Sequence, residues 1–250
     1  MLKEVEVLRI SDGDRRQDLD TIVEEMPLAL YINGRHVQTA MISPSMIREF
    51  VIGHLFSERV VKDYDEIESI QIDENIAKVL IKRSFGVINL KKVVLSGCGG
   101  GSSFLDESRI PKIDRGFKID PEQLLRSMKK VLSLDLHKKT GGSHSVGLFD
   151  KNGAIVITED IGRHNALDKV IGHGVIENIN FKDTFVASSG RISSDMILKC
   201  ISVGIPAIAS KSAVTNLAIE IGKTSGATII GFVRGVGMVV YTGSLMQADE

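Results

Sequence analysis

The chain has two cysteines in 250 residues, and their settings differ. Cys98 ends an apolar run in KVVLSGCGGGSSF and is held between glycines. A cysteine that acts as a nucleophile needs a thiolate that is exposed and open to in-line approach. Glycine on either side removes side-chain obstruction and lets the segment swing. Cys98 is therefore the candidate nucleophile. Nothing basic adjoins it in sequence, so any lowering of its pKa has to come from residues brought near by folding. Cys200 lies in RISSDMILKCISVGIP, where Ile192, Met196, Ile197, Cys200 and Val203 recur on one helical face, and it reads as a small buried hydrophobe.

Three polar clusters fall where strands give way to helices. EDIGRHNALDK holds Glu159, Asp160, Arg163, His164 and Asn165. ASSGRISSDM holds Ser188, Ser189, Arg191, Ser193, Ser194 and Asp195, and SKSAVTN holds Ser210, Lys211, Ser212, Thr215 and Asn216. In layered α/β domains such turns line the carboxyl edge of the sheet, where ligands collect. Hydroxyls, helix-start N–H groups and guanidinium forks together suit a phosphate-bearing anion. Any one cluster alone would be read as helix capping. The stretch Phe232-Val233-Arg234-Gly235-Val236-Gly237 adds a stacking face in Phe232 and donors in Arg234, or it is an ordinary glycine turn. His144, in TGGSHS, is a candidate donor or proton carrier, or a hydrogen-bonded structural histidine. His36, His54, His137 and His173 read as surface or packing residues.

The elements that must position these groups divide at about residue 115. Residues 1–115 read as a small strand-rich N-terminal domain with one helix, ending in the Cys98 loop and a linker. EEMPLALYINGRHVQTAMI is a hairpin turning at Asn33-Gly34. Ser43-Pro44 is expected to cap and open a helix whose stripe is Ile47, Phe50, Val51, Leu55 and Phe56. Strands are expected at Ile67–Asp73, Ile76–Ile81 and Val87–Leu95, then a loop from Gly99 to Lys118. Residues 116–250 open on the Asp120-Pro121 cap of a helix expected to run to about Leu136. A hairpin about Lys151-Asn152-Gly153 follows, then alternating helices and strands. That order implies an α/β domain with a mixed sheet covered on both faces.

With 31 basic and 32 acidic residues, the bulk charge gives no case for nucleic acid or membrane binding. The charged N-terminus lacks a signal-peptide pattern and no apolar run is long enough to span a bilayer, so a soluble cytoplasmic protein is expected. GxGxxG, GxxxxGK[ST] and HExxH are absent, and two distant cysteines do not suggest zinc. No metal ligands are assigned.

EEMPLALYINGR, ISPSMIREFVIGHLFSERVV, SGCGGG, TGGSHS, EDIGRHNALDKVIG, SSGRISSDMILK, GIPAIASKSAVTNLAIEIG and IIGFVRGVGMVVYTG together resemble the formate dehydrogenase accessory sulfurtransferases of FdhD/NarQ type, in that family's order. The resemblance implies a sulfur carrier. Cys98 would take sulfane sulfur from a cysteine desulfurase as a persulfide and pass it to the molybdenum or tungsten bis-pterin guanine dinucleotide cofactor of formate dehydrogenase. It also implies a cytidine-deaminase-like larger domain and a homodimer. The implied cofactor contacts are Phe232 to Gly237, with His144, Arg163, His164, Asn165, Ser189, Arg191 and Lys211. Two departures stand out. Many relatives resemble a CxxC at the loop, where this chain has Gly101 in the second position. Relatives often end the cofactor stretch with arginine, where this chain has Gly237.

Rival readings are a cofactor-binding chaperone in which Cys98 is incidental, a deaminase, and a Cys–His–Asn hydrolase using Cys98, His144 and Asn165. Deamination needs His-x-Glu and Pro-Cys-x-x-Cys at successive helix starts. This chain has GRHNALDK and SSGRISSDM there.

Overall fold

The computed structural model describes residues 1–82, 110–113 and 117–246. Cys98, the strand expected at Val87–Leu95 and much of the expected loop after it lie outside the described residues.

The chain opens with strands β1 (Leu2–Ser11) and β2 (Asp14–Val23), which pair as a two-stranded antiparallel sheet. Asp12 and Gly13 turn the corner at φ 49° and 87°, the geometry that matches the twist of a two-residue hairpin. Alternating charges had hidden this hairpin from an apolar-pattern reading.

The expected hairpin at Asn33-Gly34 is present as β3 (Met26–Ile32) and β4 (Arg35–Ile42). Helix α1 (Ile47–Ser57) follows, then β5 (Ile67–Asp73) and β6 (Ile76–Ile81) at the expected bounds. These strands form a four-stranded sheet in the order β4-β3-β6-β5. Leu28, Leu30 and Ile32 pack with Phe50, Val51 and Leu55 of α1 in a core of their own. The expected start of α1 is corrected. Its N-cap is Met46, in the left-handed region at φ 50°, and Ser43 caps nothing. Ser43 is buried instead: its N–H donates to Asp160 Oδ2 at 3.0 Å, and its Oγ accepts from the Ile161 N–H at 3.2 Å.

The second part begins with α2 (Pro121–Leu132), capped as expected by the Asp120 carboxylate, which accepts from the N–H groups of Glu122 and Gln123. The helix stops earlier than expected, and a separate α3 (Asp135–Thr140) takes up residues to Gly141. Then come β7 (His144–Asp150), β8 (Gly153–Asp160), α4 (Arg163–Ile176), β9 (Phe185–Ser188), α5 (Ser194–Ser202), β10 (Ala207–Ser210), α6 (Asn216–Ser225), β11 (Thr228–Arg234) and β12 (Gly237–Thr242). They build a six-stranded mixed sheet in the order β12-β11-β10-β9-β7-β8. Residues from α4, α5 and α6 fill one core cluster with Val146, Leu148, Val186 and Ile208. On the other side Leu124, Met128 and Val131 of α2 pack with Phe149, Phe185 and Ile230. Alternation of side chains along β7 explains the split: Val146 and Leu148 face one layer, Phe149 the other.

Strand β7 is antiparallel to both β8 and β9, while β9, β10 and β11 are mutually parallel. Strands β8, β9, β10 and β11 therefore all end at one edge, and β7 starts there.

Helix α1 crosses α4 at Gly53 and Gly172. A Cβ on Gly53 would collide with the Asp168 carbonyl, and one on Gly172 with that of Glu49, so only glycine permits this approach. Two buried ionic seams accompany the crossing. Lys169 Nζ lies 2.6 Å from Asp160 Oδ2, both side chains fully buried, and donates to the Ser43 carbonyl at 3.1 Å. Lys199 Nζ sits 2.9 Å from both Asp168 oxygens and from Glu58 Oε1.

Candidate functional site

The carboxyl edge gathers most of the residues singled out in the sequence. Ser188 ends β9, and the Lys211 N–H donates to its carbonyl at 3.1 Å. The Lys211 carbonyl in turn accepts from Arg234 Nε at 2.9 Å, which joins the end of β11 to the β10–α6 turn. Ser189 Oγ accepts from the Ser145 N–H at 2.9 Å and lies 3.4 Å from His144 Nδ1. Gly190 is flanked by the Arg163 side chain and His144, and a Cβ there would come within 2.9 Å of Arg163 Cδ. A side chain at this position would have to displace that of Arg163, because α4 and the β9–α5 turn close on each other here.

Many of the hydroxyls in these clusters are spent on the turns themselves. Ser210 Oγ donates to the Gly190 carbonyl at 2.6 Å and accepts from the Ser212 N–H at 2.8 Å. Ser188 Oγ accepts from the Gly190 N–H at 3.1 Å. Thr215 caps α6 through the Ala218 N–H. Glu159 is also structural: it accepts from the N–H groups of Leu136 and His137 at the start of α3 and from Ser143 and Ser145 Oγ.

The cations are treated differently. Arg163 stands at the first position of α4, whose N-cap Gly162 offers no side chain. Its Nε is buried with no hydrogen-bond partner among the described residues. Burial, then the neighbouring Arg191, push the Arg163 pKa down. Arg191 and Lys211 point outward and are exposed. The start of α5 likewise has no side-chain cap. Two helix N-termini without side-chain caps, a crowded guanidinium pair and Lys211 gather here around the Asp195 carboxylate in the first turn of α5, an arrangement that favours a bound anion.

Two histidines line it. Burial, then Arg163, push the His144 pKa down. His164 is pushed down to about 4 by burial and then by Arg163, so its imidazole is neutral at pH 7. His164 Nε2 lies 3.4 Å from Ser193 Oγ and 4.0 Å from Asp195 Oδ2. Burial raises Asp195 to about 6.

The β11–β12 turn shows the surface expected of Phe232 to Gly237 in part. Phe232 takes a left-handed backbone, φ 51°, and the Arg234 guanidinium lies 5.4 Å from its ring centroid. Gly235 turns at φ 57° and Val236 is 95% exposed. Val233 is corrected: its side chain is buried in the core below the sheet and does not face a ligand. Asn165 is corrected as well. Its Nδ2 donates to the Met41 carbonyl at 2.7 Å and to Asp160 Oδ1 at 2.9 Å, a brace between β4 and α4.

His54, expected to be a surface or packing residue, lies in an internal polar network. Its Nδ1 lies 3.1 Å from Asp168 Oδ2 and its Nε2 2.8 Å from Gln38 Nε2, inside the network of Lys199, Ser57 and Glu58. Cys200 is fully buried on α5 and burial pushes its pKa far up, as expected of an inert thiol. Among the described residues there is no group of three or more His, Cys, Asp or Glu able to hold a metal. Nor is any described helix long and apolar enough to cross a membrane. Two clefts, of about 930 and 520 Å³, open at the opposite edge of the sheet, away from these groups.

The fold and edge thus define a mixed α/β protein with a small four-stranded unit locked onto it and a cationic rim at the carboxyl ends of its main strands. A crystal structure of a formate dehydrogenase accessory protein from Desulfotalea psychrophila superposes with a TM-score of 0.79 over 97% of both chains, at 26% identity. The FdhD/NarQ family pattern matches residues 23–246, and the chain belongs to that family. It is 37% identical to a sulfur carrier protein FdhD of Bacillus pumilus over 89% of this chain and 88% of that one. It is 34% identical to the protein of the same name from Bacillus subtilis, over 95% and 94% of the two chains.

Proposed function

We propose that the chain is a sulfur carrier serving formate dehydrogenase. Cys98 takes sulfane sulfur from the persulfide of a cysteine desulfurase, and the carboxyl edge binds the molybdenum or tungsten bis-pterin guanine dinucleotide that receives it. The observation that carries this reading is the buried Arg163 Nε, without a hydrogen-bond partner among the described residues, beside Arg191 at two helix starts without side-chain caps, in a chain of this family. Arg163, Arg191, Lys211 and Arg234 serve the phosphates, with Phe232 offered to the guanine. Ser189, His144 and neutral His164 line the same edge as polar contacts.

In the first step the Cys98 thiolate attacks the outer sulfur of the donor persulfide. One S–S bond forms, one breaks, and the donor leaves as a thiolate, with no net redox change. With glycine at position 101 there is no second cysteine within the loop to expel the sulfur. Release then falls to the acceptor or to an outside thiol RSH; in the second case Cys98–S–SH and RSH give Cys98–S–S–R and hydrogen sulfide. A second RSH restores the Cys98 thiol and leaves RSSR. This reading further places the chain in the cytoplasm, as a homodimer, with the larger part layered as in cytidine deaminases.

The test is reconstitution of inactive formate dehydrogenase with desulfurase, cysteine and this chain, alongside titration with guanosine diphosphate. Cys98→Ala is expected to bind the nucleotide as the parent does and to yield no active enzyme. Full activation by Cys98→Ala overturns the relay and leaves a cofactor-binding chaperone.

A further inference from the structure

Helices α4 and α5 face each other through two rungs of polar groups, and only one rung is closed. In the deeper rung Lys199 Nζ meets both Asp168 oxygens at 2.9 Å, and Glu58, His54 and Ser57 complete the set. One turn nearer the helix starts, the pair is His164 on α4 and Asp195 on α5. His164 Nε2 stands 4.0 Å from Asp195 Oδ2 and nearer, at 3.4 Å, to the Ser193 hydroxyl. Among the described residues no Lys or Arg closes on the Asp195 carboxylate, and its nearest ionic contact is this histidine. The two side chains keep 27% and 18% of their surface exposed, so both are open to a ligand at the edge.

The charges facing the pair come from three helices. Asp195 is faced by Arg163 of α4, by Lys199 of its own helix and by Glu58 at the end of α1. His164 is faced by Arg163, Lys199, Asp168 and Glu58, and Arg191 crowds Arg163. Lys199 is spent on Asp168 and Glu58, which leaves Asp195 as the carboxylate among guanidiniums. Its burial keeps a proton on it up to about pH 6. An anion seated on Arg163 and Arg191 offsets their attraction for the ionised carboxyl and adds repulsion of its own. Both effects hold the proton on Asp195. Protonated, the carboxyl gains an O–H donor for that same anion; ionised, it has none to give.

We propose that the edge takes up its anion together with a proton, and that Asp195 is the residue that receives it. The bound state holds the proton more tightly than the free state. Affinity is therefore greatest at low pH and falls as pH rises through the pKa of Asp195 in the complex. His164, pushed down to about 4, contributes only at lower pH. His144, also pushed down by burial and Arg163, is the rival acceptor at this edge. The inference rests on the anion site proposed above and is independent of the sulfur relay.

Calorimetry of the full chain at pH 6.5, in two buffers of unlike ionisation enthalpy, counts the proton. The probe is diguanosine diphosphate, whose phosphates are diesters with no proton to exchange near that pH. The parent is expected to take up about half a proton on binding and to lose about fivefold in affinity between pH 6 and pH 8. Asp195→Asn is expected to bind with no proton uptake and, at pH 8, more tightly than the parent. Asp195→Glu keeps a titrating carboxyl and is expected to keep the uptake, as is His144→Gln. Thermal unfolding checks each variant, and the parent's own proton count and pH profile decide should Asp195→Asn not fold. A parent that binds no probe at any pH overturns the anion site itself. Binding without proton uptake, uptake that survives Asp195→Asn, or uptake lost in His144→Gln overturns the role of Asp195 and leaves the anion site standing.

Discussion

The seam where α1 meets α4 and α5 and the carboxyl edge next to it use the same residue types in opposite ways. In the seam every cation has an anion: Lys169 has Asp160, and Lys199 has Asp168 and Glu58, with His54 and Ser57 completing the set. Burial opposes the charge on Lys199, yet Asp168 and Glu58 hold its pKa up, and Lys199 and His54 hold that of Asp168 down. At the edge, Arg163 is crowded by Arg191 and its Nε has no described partner. A closed ionic set fixes how two parts of a molecule sit. An open cationic set costs stability unless an outside anion completes it.

The largest expected effect breaks the seam. Lys199→Met leaves the Asp168 carboxylate buried beside His54 and Ser57 without its cation, and is expected to cost about 3–5 kcal/mol in denaturant unfolding. Adding Asp168→Leu to it is expected to recover part of that loss, since the pair is coupled. The edge should respond the other way. Arg163→Met with Arg191→Met is expected to cost no stability and to raise it by up to about 1 kcal/mol, since it removes the crowded guanidinium pair. Each lost charged contact should weaken guanosine diphosphate binding by about 1.5–3 kcal/mol, read by calorimetry. Raising salt should weaken that binding in the parent and leave the buried seam nearly untouched.

The smallest effect is a pH signature at the border of the two regions. Asp195 is raised to about 6, so the fold favours its protonated form, and that contribution is lost as pH rises from its ordinary value through about 6. His164 is lowered to about 4, so the fold favours its neutral form, and that contribution is lost as pH falls from its ordinary value through about 4. The two oppose each other in the parent. Asp195→Asn should therefore gain in Tm relative to the parent as pH rises from 4 to 6, with a constant difference above. His164→Gln should gain relative to the parent as pH falls from 6.5 to 4.

The edge was more legible in the sequence than the seam. Arg163, Arg191 and Lys211 sit in strand-to-helix turns, and such turns in an α/β layer share an edge by topology alone. The seam joins residues more than a hundred positions apart, such as His54 to Asp168 and Ser43 to Asp160, and no local pattern marks them. Ser43-Pro44 misled because the capping signal was sound locally while the Asp160 carboxylate and Ile161 N–H claimed the serine. Val233 misled because a strand alternates: its neighbours Phe232 and Arg234 face the surface and it faces the core. The β1–β2 hairpin escaped because its regularity lies in cross-strand charges that a single-strand apolar count does not register.

The central claim is that this chain carries sulfur on Cys98. Intact-mass and peptide mass spectrometry after incubation with a cysteine desulfurase and cysteine tests it most directly. The expected result is one added sulfur, on the peptide containing Cys98, in the parent and equally in the Arg163→Met, Arg191→Met variant, with none on buried Cys200. A chain that gains no sulfur, or gains it on Cys200, contradicts the account.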